Sequence, residues 1–152
     1  MKNLVTVALL ALTVTLAVTA SASASTTSYS ATFVELRGAV TGGSCGSATI
    51  SGAGHVAYQC VQFGACGPNC DLRTITFDDG STLIMHESVV GAEIPGNSYA
   101  AGQNTPLFLQ ITQTIVGGTG RFTNATGSGT GRINTVADAI ITASGTITVP
   151  KP

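Results

Sequence analysis

The chain has 152 residues, only 9% of them charged, and a formal net charge of −1. With no basic patch or cationic stripe, it lacks the electrostatic footprint of a nucleic-acid binder. Its Thr-rich, Lys-poor composition shows no helical apolar period beyond residue 24, which excludes a helical domain and favours strands.

At the N-terminus, Lys2 and the apolar stretch Leu4 to Val18 precede Ala20-Ser21-Ala22-Ser23-Ala24, which offers two overlapping A-x-A cleavage sites. This is the pattern of an export signal over 1–24, and the apolar stretch is too short for a stable transmembrane span. The expected product is a secreted chain with no transmembrane anchor after cleavage, forming one domain over 25–152. Without Lys2 it carries five basic and seven acidic residues, a net charge of −2.

Export also decides how the cysteines are read. Cys45, Cys60, Cys66 and Cys70 are even in number and confined to one stretch, so they predict two local disulfides. A tetrathiolate zinc site would want paired C-x₂₋₄-C knuckles, whereas 14, 5 and 3 residues separate these cysteines. Three pairings are open. The turn sequence Gly67-Pro68-Asn69 favours Cys66–Cys70, with Cys45–Cys60 as the other bond.

The first strand is expected over Tyr29 to Val40, followed by a Gly/Ser turn over Thr41 to Gly46. Ala48 to Val61 reads as one long strand bent at Gly52 and Gly54, and Gln62 to Asp71 as a cysteine-bearing loop. Arg73 to Phe77 and Thr82 to Ser88 flank Asp78-Asp79-Gly80-Ser81. With Asp79-Gly80 as a two-residue type I′ turn, Ile75 falls opposite Ile84 and Arg73 opposite His86. Gly91 to Thr105 is a polar loop. Leu107 to Val116 alternates, with Leu107, Leu109, Ile111 and Ile115 on one face and Gln110, Thr112 and Thr114 on the other. Gly117 to Thr126 is a turn region, Gly127 to Asn134 a glycine-rich strand, and Ala139 to Val149 alternates again. Leu107, Leu109, Ile111, Ile141 and Ile147 are expected to line one interior. Seven or eight antiparallel strands can close as a barrel or fold as a sandwich.

Gly117-Gly118-Thr119-Gly120-Arg121-Phe122-Thr123-Asn124-Ala125-Thr126-Gly127-Ser128-Gly129 resembles the G-G-T-G-[RK]-F-x-x-A-x-G segment of allene oxide cyclase and dirigent-type β-barrels, a segment also met in small secreted bacterial proteins. The likeness extends more loosely over Pro106 to Val149. It implies an all-β fold, a single antiparallel barrel of about eight strands with a central cavity. The cyclase's catalytic residues find no matching motif in the first half, so activity does not carry over. Read on its own, the block supplies positive-φ glycines for a tight turn and a phenylalanine, Phe122, to plug the barrel end. Gly127, Gly129 and Gly131 share one strand face, where a neighbour can approach closely. A phosphate cradle is excluded, since neither a Lys-Ser/Thr nor a helix follows.

Four residues are candidate ligand contacts. In the expected hairpin register Arg73 and His86 share a face with Ile75, Phe77 and Ile84, a polar pair in an apolar lining. Glu35 and Arg37 alternate with Phe33 on the first strand and can join them. Gly42-Gly43-Ser44-Cys45-Gly46 matches G-x-S-x-G by letter, but an all-β context denies it a nucleophile elbow. His55 falls with Thr49, Ser51 and Gln59 on a solvent face. Two histidines do not make a histidine metal centre, and no cofactor is expected. Asn124-Ala125-Thr126 is a glycosylation sequon. No catalytic set assembles, so the expected role is non-catalytic: binding a small apolar ligand, or a surface role. The alternative is a cyclase- or dirigent-like protein that guides a reactive intermediate by cavity shape.

Overall fold

The computed structural model describes residues 23–93, 108–134 and 139–151. The expected export signal falls almost entirely outside these residues, as do Leu107 and the side chain of Arg37. Eight strands follow in chain order: β1 (Ala24–Val40), β2 (Gly43–Ile50), β3 (Val56–Gly67), β4 (Cys70–Phe77), β5 (Thr82–Glu93), β6 (Phe108–Thr119), β7 (Thr126–Asn134) and β8 (Ala139–Pro150). They form a closed antiparallel barrel in sequence order. β1 makes the closure, because it pairs with β8 from Ala24↔Pro150 to Glu35↔Ala139 and with β2 from Ala31↔Ile50 to Val40↔Gly43. Among the described residues, no helix is long and apolar enough to cross a membrane.

The expected all-β barrel is the observed fold. Odd-numbered side chains fill it: Phe33, Ile75, Phe77, Leu83, Met85, Ile111, Ile141 and Ile147 are all buried. In an eight-stranded barrel the interior is just wide enough for side chains to fill. Ile111, Ile141 and Ile147 share this interior as expected, whereas Leu109 is only partly buried, near one barrel end. At the other end Phe122, on a short 3₁₀ turn (Gly120–Phe122), packs on Phe77 with ring centroids 4.8 Å apart. The Arg121 guanidinium lies 4.7 and 4.8 Å from these two ring centroids and donates to the Ala53 carbonyl at 2.5 Å. Phe122 therefore plugs the barrel as read from the sequence, with Arg121 clamped over the plug.

Four local expectations are corrected. Ala48 to Val61 is not one strand: the chain turns back at 51–54, where Gly52 (φ 77°) and Gly54 (φ 98°) adopt conformations that L side chains rarely take. This separates Gln59, which is buried, from Thr49, Ser51 and His55, which are exposed. The cysteine-bearing loop is the tip of a β3–β4 hairpin, with Gly67 paired to Cys70. Ser44, expected in a turn, lies on β2 and is buried, with its hydroxyl donating to the Leu36 carbonyl at 2.9 Å.

The fourth correction matters most for the site. The β4–β5 loop holds three residues, Asp78-Asp79-Gly80. It is closed by the Phe77 amide donating to the Ser81 carbonyl and the Gly80 amide donating to the Phe77 carbonyl, at 3.0 and 2.9 Å. Gly80 takes φ 78°, the left-handed position of a turn followed by a bulge. Asp79 accepts hydrogen bonds from the Ser81 amide and hydroxyl, which holds the longer loop. Ile75 consequently faces Leu83 and not Ile84, and Arg73 faces Met85 and not His86. A one-residue slip turns every side chain of a strand to the other face. Leu83, Met85 and Glu87 point into the barrel, while Ile84 and His86 point out.

Two bulges interrupt the β5–β6 pairing. Val116 is skipped between Gly117 (paired with Ile84) and Ile115 (paired with Met85), and Val90 between Val89 and Gly91. Both skipped valines are exposed.

Candidate functional site

The barrel interior is not apolar throughout. Arg73 on β4 is 1% exposed and occupies its middle. Its Nε donates to Glu87 Oε1 and its Nη2 to Glu87 Oε2, both at 2.8 Å, a two-pronged grip on one carboxylate. Nη2 also donates to Glu35 Oε1 at 2.5 Å, and Nη1 donates to Gln59 Oε1. The Phe33 ring lies beneath, its centroid 4.4 Å from the guanidinium carbon. Gln113 continues the belt: its Nε2 donates to Glu87 Oε1 at 2.6 Å, and its Oε1 accepts the Tyr29 hydroxyl at 2.6 Å. Among the described residues, every buried side-chain nitrogen or oxygen has a hydrogen-bond partner.

Each member reaches the belt through the inward face of its strand. Glu35 comes from β1, Gln59 from β3, Arg73 from β4, Glu87 from β5 and Gln113 from β6. Tyr29 needs room, and β7 provides it: a Cβ on Gly129 would collide with the Tyr29 hydroxyl. The glycine face of β7 thus does what its sequence suggested, letting a neighbour approach closely.

The charges in this belt do not balance. One guanidinium faces two carboxyl groups, and Glu87 takes both prongs. Burial pushes the Glu35 carboxyl above its ordinary range, an effect that the single contact with Arg73 only partly offsets. Burial works against the charge of Arg73 too, but Glu87 and Glu35 outweigh it and hold the guanidinium charged. The Tyr29 hydroxyl is pushed up to about 12, first by burial and then by Glu87, so it stays a donor.

Glu35 also borders a cavity of about 350 Å³ at the barrel end nearer the β1–β2 turn. Phe63, Val89, Leu109, Ile133 and Ala139 form its apolar wall, and Asp71 is the other carboxyl on it. Larger surface hollows of about 570 and 600 Å³ lie elsewhere, and neither borders the buried belt. Four of the five Arg73 N–H donors are bound to protein groups, so the cation is not free to receive an anion. The cavity offers two carboxyl groups and an apolar wall.

Of the four candidate contacts, the structure brings Arg73 and Glu35 together in the barrel. His86 is a correction: it pairs with Leu72, faces outward and takes no part in the belt. The Arg37 side chain lies outside the described residues. Glu87, Gln113, Gln59 and Tyr29 were not singled out by sequence. Gln113 had a signal, since it interrupts the odd-numbered apolar series of β6. Glu87 was hidden by the hairpin register, and Gln59 by the unrecognised turn before β3. The belt contains no histidine or cysteine. Among the described residues, the cluster of three metal-ligating side chains is Cys66, Cys70 and His86 on the outer face, with both sulfurs joined in a disulfide.

Comparison of the chain with family models, with curated proteins and with solved structures finds no match.

Proposed function

We propose that this is an exported, non-catalytic binding protein whose barrel takes a small, uncharged and largely apolar molecule. The observation that carries this reading is the 350 Å³ apolar cavity bordered by the Glu35 carboxyl. Its size falls in the range of small-molecule sites, which are mostly apolar with a few placed polar groups. Two carboxyl groups on the wall and a guanidinium already engaged by protein disfavour an anion. The Glu35 carboxyl, its pKa raised by burial, gives the wall a polar partner for a carbonyl, ether or hydroxyl oxygen of the ligand. Disulfides Cys45–Cys60 and Cys66–Cys70 support export, because such bonds persist in oxidising compartments.

The test has two parts. Native mass spectrometry of the protein isolated from the medium should show a co-purified molecule of small mass and no charge. A neutral, environment-sensitive dye should bind one-to-one and lose that binding in Ala139→Trp, which fills the cavity. Absence of saturable binding, or binding unchanged by Ala139→Trp, would overturn the reading.

A second reading, a cyclase- or dirigent-like barrel that guides a reactive intermediate, is favoured by one feature. A carboxyl on the wall of an apolar cavity can position a reacting oxygen with no further catalytic group. Protein-dependent isomerisation of the co-purified molecule would distinguish it from simple binding.

A further inference from the structure

Cys66, Cys70 and His86 lie outside the barrel, away from the cavity, and the binding function above does not use them. Their ligating atoms are all within 4.8 Å of one another, and all three residues are partly buried. What holds them together is the sheet. Cys70 pairs with Ser88 and Leu72 with His86 on β4–β5, so Cys70 and His86 are outward-facing diagonal neighbours. Gly67 pairs with Cys70 at the tip of β3–β4, which brings Cys66 to the same place.

The Cys66–Cys70 bond therefore closes a turn that strand pairing has already closed. It spans a sequence separation of 4, and so short a loop gains less from cross-linking than a longer one. Cys45–Cys60 differs. It spans a separation of 15 and ties β2 to β3 where only four residue pairs join those strands. One disulfide ties two strands together, and the other closes a short turn beside an imidazole.

We propose that Cys66, Cys70 and His86 form a redox-gated site for a thiophilic divalent cation of the zinc class. Oxidised, the site is closed by the disulfide. A dithiol reductant opens it: its thiolate attacks one sulfur and releases the other as thiolate. The reductant's second thiol then resolves the mixed disulfide and leaves as a cyclic disulfide. The protein gains two electrons and two protons. Zinc(II) displaces both thiol protons and is bound by two thiolates and a neutral His86 nitrogen. Bonds of about 2.3 Å to sulfur and about 2.0–2.1 Å to nitrogen require donors closer together than the 4.8 Å envelope, a movement within reach of side-chain rotation. Three protein ligands leave the fourth position for water or an exogenous ligand.

The test uses the full oxidised protein under anaerobic conditions. Graded reduction followed by alkylation and peptide mass spectrometry should label Cys66 and Cys70 while Cys45–Cys60 stays intact. The reduced protein should bind one Zn²⁺ in chelator competition, and Co²⁺ should give a thiolate charge-transfer band. His86→Ala, an outward-facing change, should weaken Zn²⁺ binding at least roughly tenfold. The double variant Cys66→Ser/Cys70→Ser, checked by circular dichroism to be folded, should bind none. The proposal is overturned by reduction of Cys45–Cys60 before Cys66–Cys70, by the absence of a Co²⁺ band, or by His86→Ala binding Zn²⁺ as tightly as the parent.

Discussion

Arg73 is the residue on which the interior depends. Removing it leaves Glu35 and Glu87 buried without their cation, and breaking a buried ion pair from one side costs about 3–5 kcal/mol. Arg73→Met should therefore lower the denaturant midpoint sharply at pH 7, although methionine fills similar space and is more apolar. Glu35 makes the complementary case. Its pKa is raised on folding from the ordinary 4.5, so the folded state holds this proton more tightly than the unfolded chain does. The resulting contribution is fully present below the unfolded value and is lost as pH rises from there through the folded value. Glu35→Gln keeps the acceptor for Arg73 and has no proton to lose. Relative to parent, the variant should gain stability as pH rises, by up to about 1.4 kcal/mol per pH unit within that window. Urea midpoints of both proteins across the window check this, and parallel curves would mean that Glu35 is ionised on both sides of folding.

At the level of elements, the β4–β5 loop decides which half of β5 enters the barrel. Gly80 at φ 78° is the hinge of that choice. Gly80→Val places a β-branched side chain in the left-handed region and should cost on the order of 1–3 kcal/mol in denaturant melts. A loss near zero would mean that the loop changes turn type without penalty. The two disulfides should separate in the same way. Removing Cys45–Cys60, with its separation of 15, should cost about 3 kcal/mol, and removing Cys66–Cys70 distinctly less, in melts of the two double serine variants.

For the molecule as a whole, the closed barrel makes one face of every strand core and the other surface. Ile141 is fully buried between β1 and β7, and its neighbour Thr142 is exposed. Ile141→Ala should cost roughly 2–5 kcal/mol and Thr142→Ala no more than about 0.5 kcal/mol. Similar small losses in both would remove the physical basis for the core. The oxidised protein, denatured without reductant, should take up no thiol label, because all four cysteines are bonded.

Period-2 alternation in β6 and β8 and the turn glycines were enough to determine an all-β antiparallel chain, and the Gly67-Pro68-Asn69 turn favoured the disulfide pairing that is observed, whereas closure as a barrel and not a sandwich is decided by the pairing of β1 with β8. These signals are local, carried by side chains and turns close together in the chain. The buried belt was legible only in part. Arg73 and Glu35 could be singled out because charged residues are rare and alternate there with apolar ones. Their partners could not, because which face of a strand is inside depends on register. On β5, Leu83 and Met85 compete with Ile84 for the core, so apolar pattern alone does not choose between them. The choice is made by one extra loop residue, stabilised by Asp79, and by cross-barrel contacts: Arg73 inside needs Glu87 inside. Burial of a guanidinium is tolerable only when its partners converge on it, here from β1, β3 and β5, and that convergence exists only once the barrel has closed.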